Sequence, residues 1–238
     1  MMEKDVKIEY LTSIEELIDR YSGFDFLKKV DLKNQSASCW NINDKPSFEI
    51  QVLFLGKTGY GKSTTINRLV GKNVLETSDI EVCTKALHSV EYQINESDFY
   101  FSFNDFPGIG EDGQTDIKYV EWYKEMLGYS HCVVYILRAD QRDYALDEAL
   151  FNSLFPQRAD REKVIIALNF ADKVEPINRL GEITEEQKMN LQRKIRSIKR
   201  LFGTYQVMYY SALDEMNFNI LVSKIIQVVK REVKTKVY

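Results

Sequence analysis

Cysteine, proline and excess positive charge are all scarce in this sequence, and each scarcity excludes a class of protein. The chain of 238 residues has three cysteines, Cys39, Cys83 and Cys132, and no C-x-x-C pair. That number and spacing do not form a disulfide framework or a cysteine metal site, and they fit a reducing compartment. Four prolines, with a composition that is 44% hydrophobic and 29% charged, are typical of an ordinary globular protein.

Long apolar runs are also missing. The N-terminus is charged and has no apolar h-region, and no window reaches the ~18 apolar residues of a membrane span. These absences predict a cytoplasmic protein. The formal net charge of −4 gives no support for non-specific nucleic-acid binding, which needs a basic surface.

The order of the predicted elements indicates an α/β fold in two parts. Residues 1–46 are polar and contain a predicted helix, with Ser13 as its N-cap and Glu16 completing a capping box, followed by a linker. Residues 47–238 alternate apolar with amphipathic runs, which predicts a three-layer domain around a mainly parallel, six-stranded sheet. A short polar turn at 95–97 separates its second and third strands, so we expect one antiparallel edge strand.

The clearest motif is GKTGYGKST, residues 56–64, which follows the predicted strand FEIQVLFL and opens a predicted helix. It satisfies the pattern G-x-x-x-x-G-K-[ST] through Gly56, Gly61, Lys62 and Ser63. Glycines let backbone N–H groups converge on phosphate oxygens, and the helix N-terminus adds positive potential. The alternative interpretation is a glycine-rich turn with a solvated lysine. The motif predicts a bound nucleotide, with Lys62 at the β- and γ-phosphates and Ser63 at Mg²⁺.

Two further motifs follow predicted strands. DFPG, residues 105–108, supplies Asp105 for the Mg²⁺ shell and the Gly108 amide for the γ-phosphate. NFAD, residues 169–172, ends a buried strand, at the edge where open α/β sheets bind ligands. An ionised Asp172 only accepts hydrogen bonds, which suits the N1–H and N2–H₂ donors of guanine and not the N1 acceptor of adenine. The alternative for both motifs is an aspartate that only caps or turns the chain.

These motifs, followed by the SA of YYSAL at Ser211 and Ala212, resemble the G1, G3, G4 and G5 boxes of P-loop GTPases. The resemblance covers about residues 48–236 and is closest to the Era-like and septin-like side of that superfamily. GKTGYGKSTTINRL and LRADQRD are similar to a small bacterial, often prophage-borne, group of Era-like GTPases. The usual fourth box is N-K-x-D, and Phe170 replaces its lysine. A phenylalanine can supply the packing of that lysine but not its polar tie to the phosphate loop.

The resemblance implies that the protein binds GTP and GDP with Mg²⁺ and hydrolyses GTP as a nucleotide-controlled switch. Thr84 is the best match to the G2 threonine of the family, which implies Mg²⁺ ligands at Ser63, Thr84 and Asp105. It also implies catalytic roles for Lys62, Thr84 and Gly108. The residues implied to contact the nucleotide are Gly56, Thr58, Gly59, Tyr60, Gly61, Lys62, Ser63, Thr64, Asp105, Gly108, Asn169, Phe170, Asp172, Ser211 and Ala212.

How the attacking water is positioned stays open. Many relatives place a glutamine directly after D-x-x-G, where this chain has Ile109, and others recruit K⁺ through an asparagine, where this chain has Gly59. Other candidates for orienting the water are Glu111, Asp112 and Gln114. Arg138 and Arg142 either act in trans across a dimer or are solvated or structural. The resemblance therefore implies slow hydrolysis, accelerated by a homodimer through the nucleotide face or by an unknown protein effector.

Two other functions remain as alternatives. Ile109 and Phe170 also fit a guanine-nucleotide-binding module that does not hydrolyse GTP, or a partner-activated scaffold protein. An ATPase or nucleotide kinase is the second alternative. The N-terminal helix either caps the domain or binds a partner, and we interpret His88 and His131 as structural.

Overall fold

Strands alternate with helices along most of the chain in a computed structural model that describes residues 6–31, 38–42, 45–77, 86–109, 113–177, 183–204, 206–214 and 216–233. The described strands are β1 (Val6–Ser13), β2 (Ser38–Ile42), β3 (Lys45–Leu55), β4 (Leu87–Gln93), β5 (Phe99–Asp105), β6 (Ser130–Arg138), β7 (Val164–Asn169) and β8 (Val207–Tyr209). The described helices are α1 (Ile14–Arg20), α2 (Lys62–Val70), α3 (Gly113–Leu127), α4 (Ala145–Leu154), α5 (Glu185–Phe202) and α6 (Phe218–Glu232). Short 3₁₀ segments span Ser22–Lys29, Ala159–Lys163 and Ala171–Lys173.

The strands form one sheet in the order β1-β4-β5-β3-β6-β7-β8, and β2 pairs antiparallel with the first residues of β3. Along that order every neighbouring pair is parallel except β4 and β5. The turn between β4 and β5 contains Asn95 and Glu96 with left-handed φ angles of 52° and 51°, and a connection this short joins antiparallel strands. The predicted α/β fold with a mainly parallel sheet is confirmed, and the predicted antiparallel pairing of the two strands joined by the short turn is that of β4 with β5.

The predicted number of strands was wrong. The structure adds β1 and β2, which lie in the segment predicted to be helical and linker. Because β1 pairs in parallel with β4, the antiparallel strand β4 lies one place in from the edge. Ile8 and Leu11 of β1 are exposed, so the strand lacks the run of buried residues that identifies a strand in a sequence.

The N-terminal segment packs on the sheet. Ser13 caps α1 as predicted, with its Oγ accepting from the Glu15 amide at 3.3 Å. The predicted capping box is wrong, because the Glu16 carboxylate instead accepts from the Tyr10 hydroxyl at 2.6 Å. Phe24, in the 3₁₀ segment that follows α1, is fully buried against Phe101 of β5, with ring centroids 5.3 Å apart. This segment therefore contributes to the same core as the sheet.

The remaining helices cover the sheet and bring five loops to one edge. Helix α6 contacts β6 and β7, whereas α3, α4 and α5 contact one another in series. Strands β6 and β7 are buried along almost their whole length, as expected for parallel strands covered on both faces. The loops that follow β3, β5, β6, β7 and β8 all leave the carboxyl edge, where parallel sheets bind ligands. None of the helices in the described ranges combines the length and the hydropathy that a membrane span requires.

Candidate nucleotide-binding site

The phosphate loop joins β3 to α2 and depends on glycine at three positions. Gly56, Gly59 and Gly61 have φ angles of 144°, 75° and 84°, which residues with a Cβ rarely adopt. A Cβ on Gly61 would lie 2.4 Å from Nδ2 of Asn169, and a Cβ on Gly56 would lie 2.5 Å from the carbonyl oxygen of Ile136. The loop can therefore approach its neighbours, and a ligand, only with its own backbone.

Two side chains at the start of α2 have polar partners that suit phosphate and metal chemistry. The Lys62 ammonium crosses the loop and donates to the carbonyl oxygens of Gly56 and Lys57, both at 3.2 Å. The Ser63 hydroxyl donates to Oδ2 of Asp105 at 2.5 Å, across 42 residues of sequence. A hydroxyl beside a carboxylate offers the hard oxygen ligands that Mg²⁺ prefers.

The segment after β5 lies directly on the phosphate loop. The Thr58 amide donates to the carbonyl oxygen of Ile109 at 3.2 Å, and a Cβ on Gly108 would lie 2.4 Å from that amide nitrogen. The Tyr123 hydroxyl of α3 donates to the Pro107 carbonyl and fixes the segment from its other side. The Ile109 side chain is buried. Because Gly108 has no side chain, its backbone can lie against the loop residue Thr58.

Asn169 joins three loops through one buried side chain. Its Nδ2 donates to the Tyr60 carbonyl in the phosphate loop at 3.1 Å. Its Oδ1 accepts from the Phe170 amide at 2.9 Å and from the Ala212 amide at 3.1 Å. The Ser211 amide donates to the carbonyl oxygen of Met216 at 3.0 Å. In this structure both amides of the SA motif therefore have partners within the chain.

Phe170 occupies the position of the family's lysine and is held by cations. Its backbone has a left-handed φ of 60°, which is uncommon for a bulky residue and often marks a functional position. The Arg138 guanidinium lies 4.3 Å from the ring centroid and the Lys173 ammonium lies 4.6 Å from it. A Cβ on Gly61 would be 3.8 Å from Cζ of the ring, so the ring packs against the phosphate loop.

Arg138 is held within its own chain. It makes a bidentate ion pair with Asp140, at 3.0 Å from Nε and 2.7 Å from Nη2, and this pairing lowers the pKa of the Asp140 carboxyl. Of the two roles left open for Arg138, these contacts favour the structural one, which holds Phe170 in place.

Asp172 is positioned for a polar ligand. It lies in the 3₁₀ turn after β7, and the Gln187 amide of α5 donates to its carbonyl oxygen at 3.1 Å. Its Oδ1 is buried and has no hydrogen-bond partner among the described residues. Buried polar atoms are almost always paired in native proteins. This carboxylate oxygen is therefore available to accept a hydrogen bond from a ligand at the edge.

Several predicted residues lie outside the part of the chain that is described. These are Thr84, Glu111 and Asp112, and for Gln114 only the backbone is described. Within the described ranges, no group of three or more His, Cys, Asp and Glu side chains can hold a metal ion by itself. Mg²⁺ in this site would therefore depend on the nucleotide phosphates as well as on Ser63 and Asp105.

Sequence reasoning missed the contacts that support the loop from behind, although it had named Tyr60 as a residue that contacts the nucleotide. Lys57 and Tyr60, at the first and last of the four variable positions of the motif, contact Asp147 of α4. On the other side, Thr65 of α2 shares a 2.7 Å hydrogen bond with the hydroxyl of Tyr210, which follows β8. The only local signal was the pair of large polar residues at positions that tolerate many side chains.

The histidine in β6 is structural, as predicted. His131 is buried, and its Nδ1 accepts from the Gln51 amide of β3 at 3.1 Å, beside the irregularity in the β3–β6 register. Burial, with a smaller contribution from the charge of Lys163, lowers the pKa of His131 to about 4.

Along the carboxyl edge of one mainly parallel sheet lie the glycine-rich loop, the Ser63–Asp105 contact and the Asn169 link between loops. This arrangement defines the class of this protein, a P-loop GTPase domain. The family model described as 50S ribosome-binding GTPase matches residues 51–170, half of the chain. The chain belongs to this GTPase family.

The relatives extend over most of the chain. Uncharacterized protein YfjP of Escherichia coli (strain K12) is 30% identical over 197 residues, which are 82% of this chain and 68% of that protein. Toc33 from Arabidopsis thaliana, solved with Mg²⁺ and GMPPNP, superposes with a TM-score of 0.61 at 21% identity, over 92% of this chain and 93% of that one. A further solved chain carries the description that dimerization is important for the GTPase activity of the chloroplast translocon components atToc33 and psToc159. It superposes with a TM-score of 0.61 at 20% identity, over 94% of this chain and 93% of that one.

Era, solved with MgGDPNP and nucleotides 1506–1542 of 16S ribosomal RNA, superposes with a TM-score of 0.61 at 23% identity, over 80% of this chain and 58% of that one. At these identities the solved structures establish a common fold.

Proposed function

We propose that this protein is a nucleotide-controlled switch that binds GTP and GDP with Mg²⁺ and hydrolyses GTP slowly. One observation carries the proposal. Asn169 ties the phosphate loop to the two loops expected to surround the base, and next to it Asp172 presents a buried carboxylate oxygen with no partner in the described chain. A bound guanine, unlike an adenine, supplies the donors for that oxygen.

Each residue has a role that follows from its contacts. Lys62 and the glycine-rich backbone hold the phosphate chain, with Lys62 exchanging its two carbonyl partners for phosphate oxygens. Ser63 and Asp105 hold Mg²⁺, which supplies charge neutralisation at the β- and γ-phosphates when bound. Asp172 reads the base, and Phe170 packs between the phosphate loop and Arg138. Thr84 and the Gly108 amide are the proposed sensors of the γ-phosphate.

Slow hydrolysis is proposed because the residue that directly follows the D-x-x-G motif has no polar side chain. The position directly after the D-x-x-G motif is the buried side chain of Ile109, and an aliphatic side chain cannot hold a water by hydrogen bonding. Loss of the γ-phosphate would free the loop that contains Thr84 and the loop after Gly108, which is the order–disorder change that switch proteins use. The Toc33 statement on dimerization supports self-association as the accelerator.

The test is a titration of nucleotide-stripped protein with fluorescent GDP, GTP and ATP analogues in the presence of Mg²⁺. We expect guanine nucleotides to bind and ATP not to compete. Asp172→Asn should loosen the guanine preference by about tenfold or more, because an amide presents a donor where guanine needs an acceptor. Asp214→Asn is the matched control, since Asp214 is exposed in the neighbouring loop. Unchanged GTP affinity in Asp172→Asn would contradict the assignment of the base.

The buried Ile109 also favours a second candidate, a guanine-nucleotide-binding module that does not hydrolyse GTP. Single-turnover phosphate release at several protein concentrations separates the two. Release that accelerates with concentration supports a self-activating GTPase. Its absence at every concentration, with tight binding intact, assigns the protein to the partner-activated or non-hydrolysing class.

A further inference from the structure

The phosphate loop is supported from behind by a cluster that we call the α4 anchor, made of Lys57, Tyr60, Gln141 and Asp147. The Lys57 ammonium pairs with Oδ2 of Asp147 at 2.9 Å. Nε2 of Gln141 donates to the same oxygen at 3.0 Å. The Tyr60 hydroxyl donates to Oε1 of Gln141 at 2.6 Å and lies 3.4 Å from Oδ2 of Asp147. One carboxylate therefore contacts two residues of the phosphate loop.

The carboxylate is almost completely removed from solvent, with contacts on Oδ2, whereas its Oδ1 is buried without a hydrogen-bond partner among the described residues. Its side chain is 1% exposed, against 20% for Lys57. It lies in the first turn of α4, where negative charge is favourable, and the Tyr135 hydroxyl of β6 donates to its backbone carbonyl at 3.2 Å. Gln141 is also held, because the Lys194 ammonium of α5 donates to its carbonyl oxygen at 2.7 Å. The anchor is therefore part of the rigid framework of the domain.

The contacted loop residues are adjacent to the groups that would bind phosphate. The Lys57 carbonyl accepts from the Lys62 ammonium at 3.2 Å, and the Tyr60 carbonyl accepts from Asn169 at 3.1 Å. A shift of Lys57 or Tyr60 therefore moves the carbonyl that holds the phosphate-binding lysine or the link to the base loop. Placement of such groups within a fraction of an ångström decides how well they bind.

We infer that Asp147 is a positioning residue of the phosphate loop, which sets the affinity for the phosphate chain of the nucleotide through Lys57 and Tyr60. It acts through these two loop residues, with which its carboxylate is in contact. The inference rests on the proposed nucleotide binding and adds to it a determinant of phosphate affinity on α4, outside all of the GTPase motifs. Its signature is a loss of affinity that does not depend on the base.

The experiment measures dissociation constants of GTP and ITP for the full chain, with circular dichroism at the same temperature to establish folding. Inosine lacks the 2-amino group, so the GTP-to-ITP ratio reports on the base site alone. We expect Asp147→Asn to weaken both nucleotides by about tenfold with an unchanged ratio, because the uncompensated Lys57 side chain leaves its position. Glu148→Gln, the next carboxylate of α4, is the matched control and should bind like the wild type.

Further variants connect the effect to the loop. Lys57→Met removes the cation that compensates the buried carboxylate and should weaken binding. Adding Asp147→Asn to it should restore part of the affinity, because the uncompensated charge is then removed. If Asp147→Asn does not fold, Gln141→Leu takes its place, because it removes the second donor to the carboxylate. It should also weaken GTP and ITP equally.

The outcomes separate the inference from the proposed function. Failure of the wild type to bind GTP overturns the proposed function and the inference together. If the wild type binds GTP and folded Asp147→Asn loses less than about threefold in affinity, the inference alone is overturned. A changed GTP-to-ITP ratio in that variant overturns it as well. A larger loss, equal for both nucleotides and partly reversed in the double variant, supports it.

Discussion

Replacement of Asn169 is the sharpest test of how the site is assembled, because this one side chain makes hydrogen bonds to three loops. Asn169→Ala removes the donor to the Tyr60 carbonyl and the acceptor for the Phe170 and Ala212 amides. The bonds to Tyr60 and Ala212 are buried, and a buried polar group left without a partner costs about 1–3 kcal/mol. Two such groups predict a loss of about 2–6 kcal/mol in the free energy of unfolding.

The assay is urea unfolding followed by far-UV circular dichroism, together with the dissociation rate of a fluorescent GDP analogue. Asn169→Asp is an informative second variant, since it keeps Oδ1 for the two amides but places a carboxylate oxygen against the Tyr60 carbonyl. It should also lose stability, because a buried carboxylate then faces the carbonyl oxygen of Tyr60, and it should release nucleotide faster than the wild type. Asn219→Ala, at an exposed position of α6, should stay within about 0.5 kcal/mol. If Asn169→Ala lost less than about 1 kcal/mol and released GDP at the wild-type rate, the three-loop connection would be refuted.

Three further predictions concern the same framework. Gly61→Ala should weaken GDP binding by about tenfold or more in a titration, because its Cβ would lie 2.4 Å from Asn169 at a φ of 84°. Gly128→Ala should bind normally, because its Cβ would lie 3.5 Å from the Glu125 carbonyl oxygen, an ordinary contact distance. Phe170→Leu should lower the unfolding free energy by about 0.5–2 kcal/mol. Arg138→Met should cost less in that background than in the wild type, because the cation–π contact is already lost and only the ion pair with Asp140 remains to be removed; full additivity in the double-mutant cycle would disprove the contact. Burial lowers the pKa of His131 to about 4, so between about pH 6.5 and 4 the unfolded state binds the extra proton and stability falls as pH falls. His131→Gln should therefore remove about 3 kcal/mol of the loss in unfolding free energy that urea titrations show over this pH range. If the loss stayed the same in the variant, His131 would be excluded as its source.

A second buried group opposes His131 over part of that pH range. Burial, then the neighbouring Glu91, raises the pKa of Glu49 to about 8, so the folded state holds a proton that the unfolded chain releases. The stability that protonated Glu49 contributes is complete below about pH 4.5 and is lost as pH rises through about 8. The contribution of His131 to the pH dependence of stability is therefore measured as the difference in unfolding free energy between His131→Gln and the wild type.

Local chemistry allowed the sequence to predict the centre of the site. Positions that need glycine, such as Gly56 and Gly61, occur at a spacing set by the backbone of one loop, and the pattern can be recognised without the rest of the chain. The DFPG and NFAD motifs each end a strand, and parallel strands end at one edge, so topology brings Asp105 next to Ser63. The Ser13 cap was predictable for the same reason, since its partner is two residues away.

Only the tertiary structure decided the parts that depend on distant partners. Strand β1 has charged and exposed residues, and it becomes a strand because β4, some 80 residues later, offers it a parallel edge. From the sequence alone, Phe170 is only a replacement of the family's lysine. The contacts of its ring with Arg138 and Lys173 exist because β6 and β7 are neighbours in the sheet. Asp147 lies 90 residues from Lys57 and in no motif. A buried ion pair of this kind is set by how helix and loop pack, whereas the glycines of the loop are required by the backbone itself.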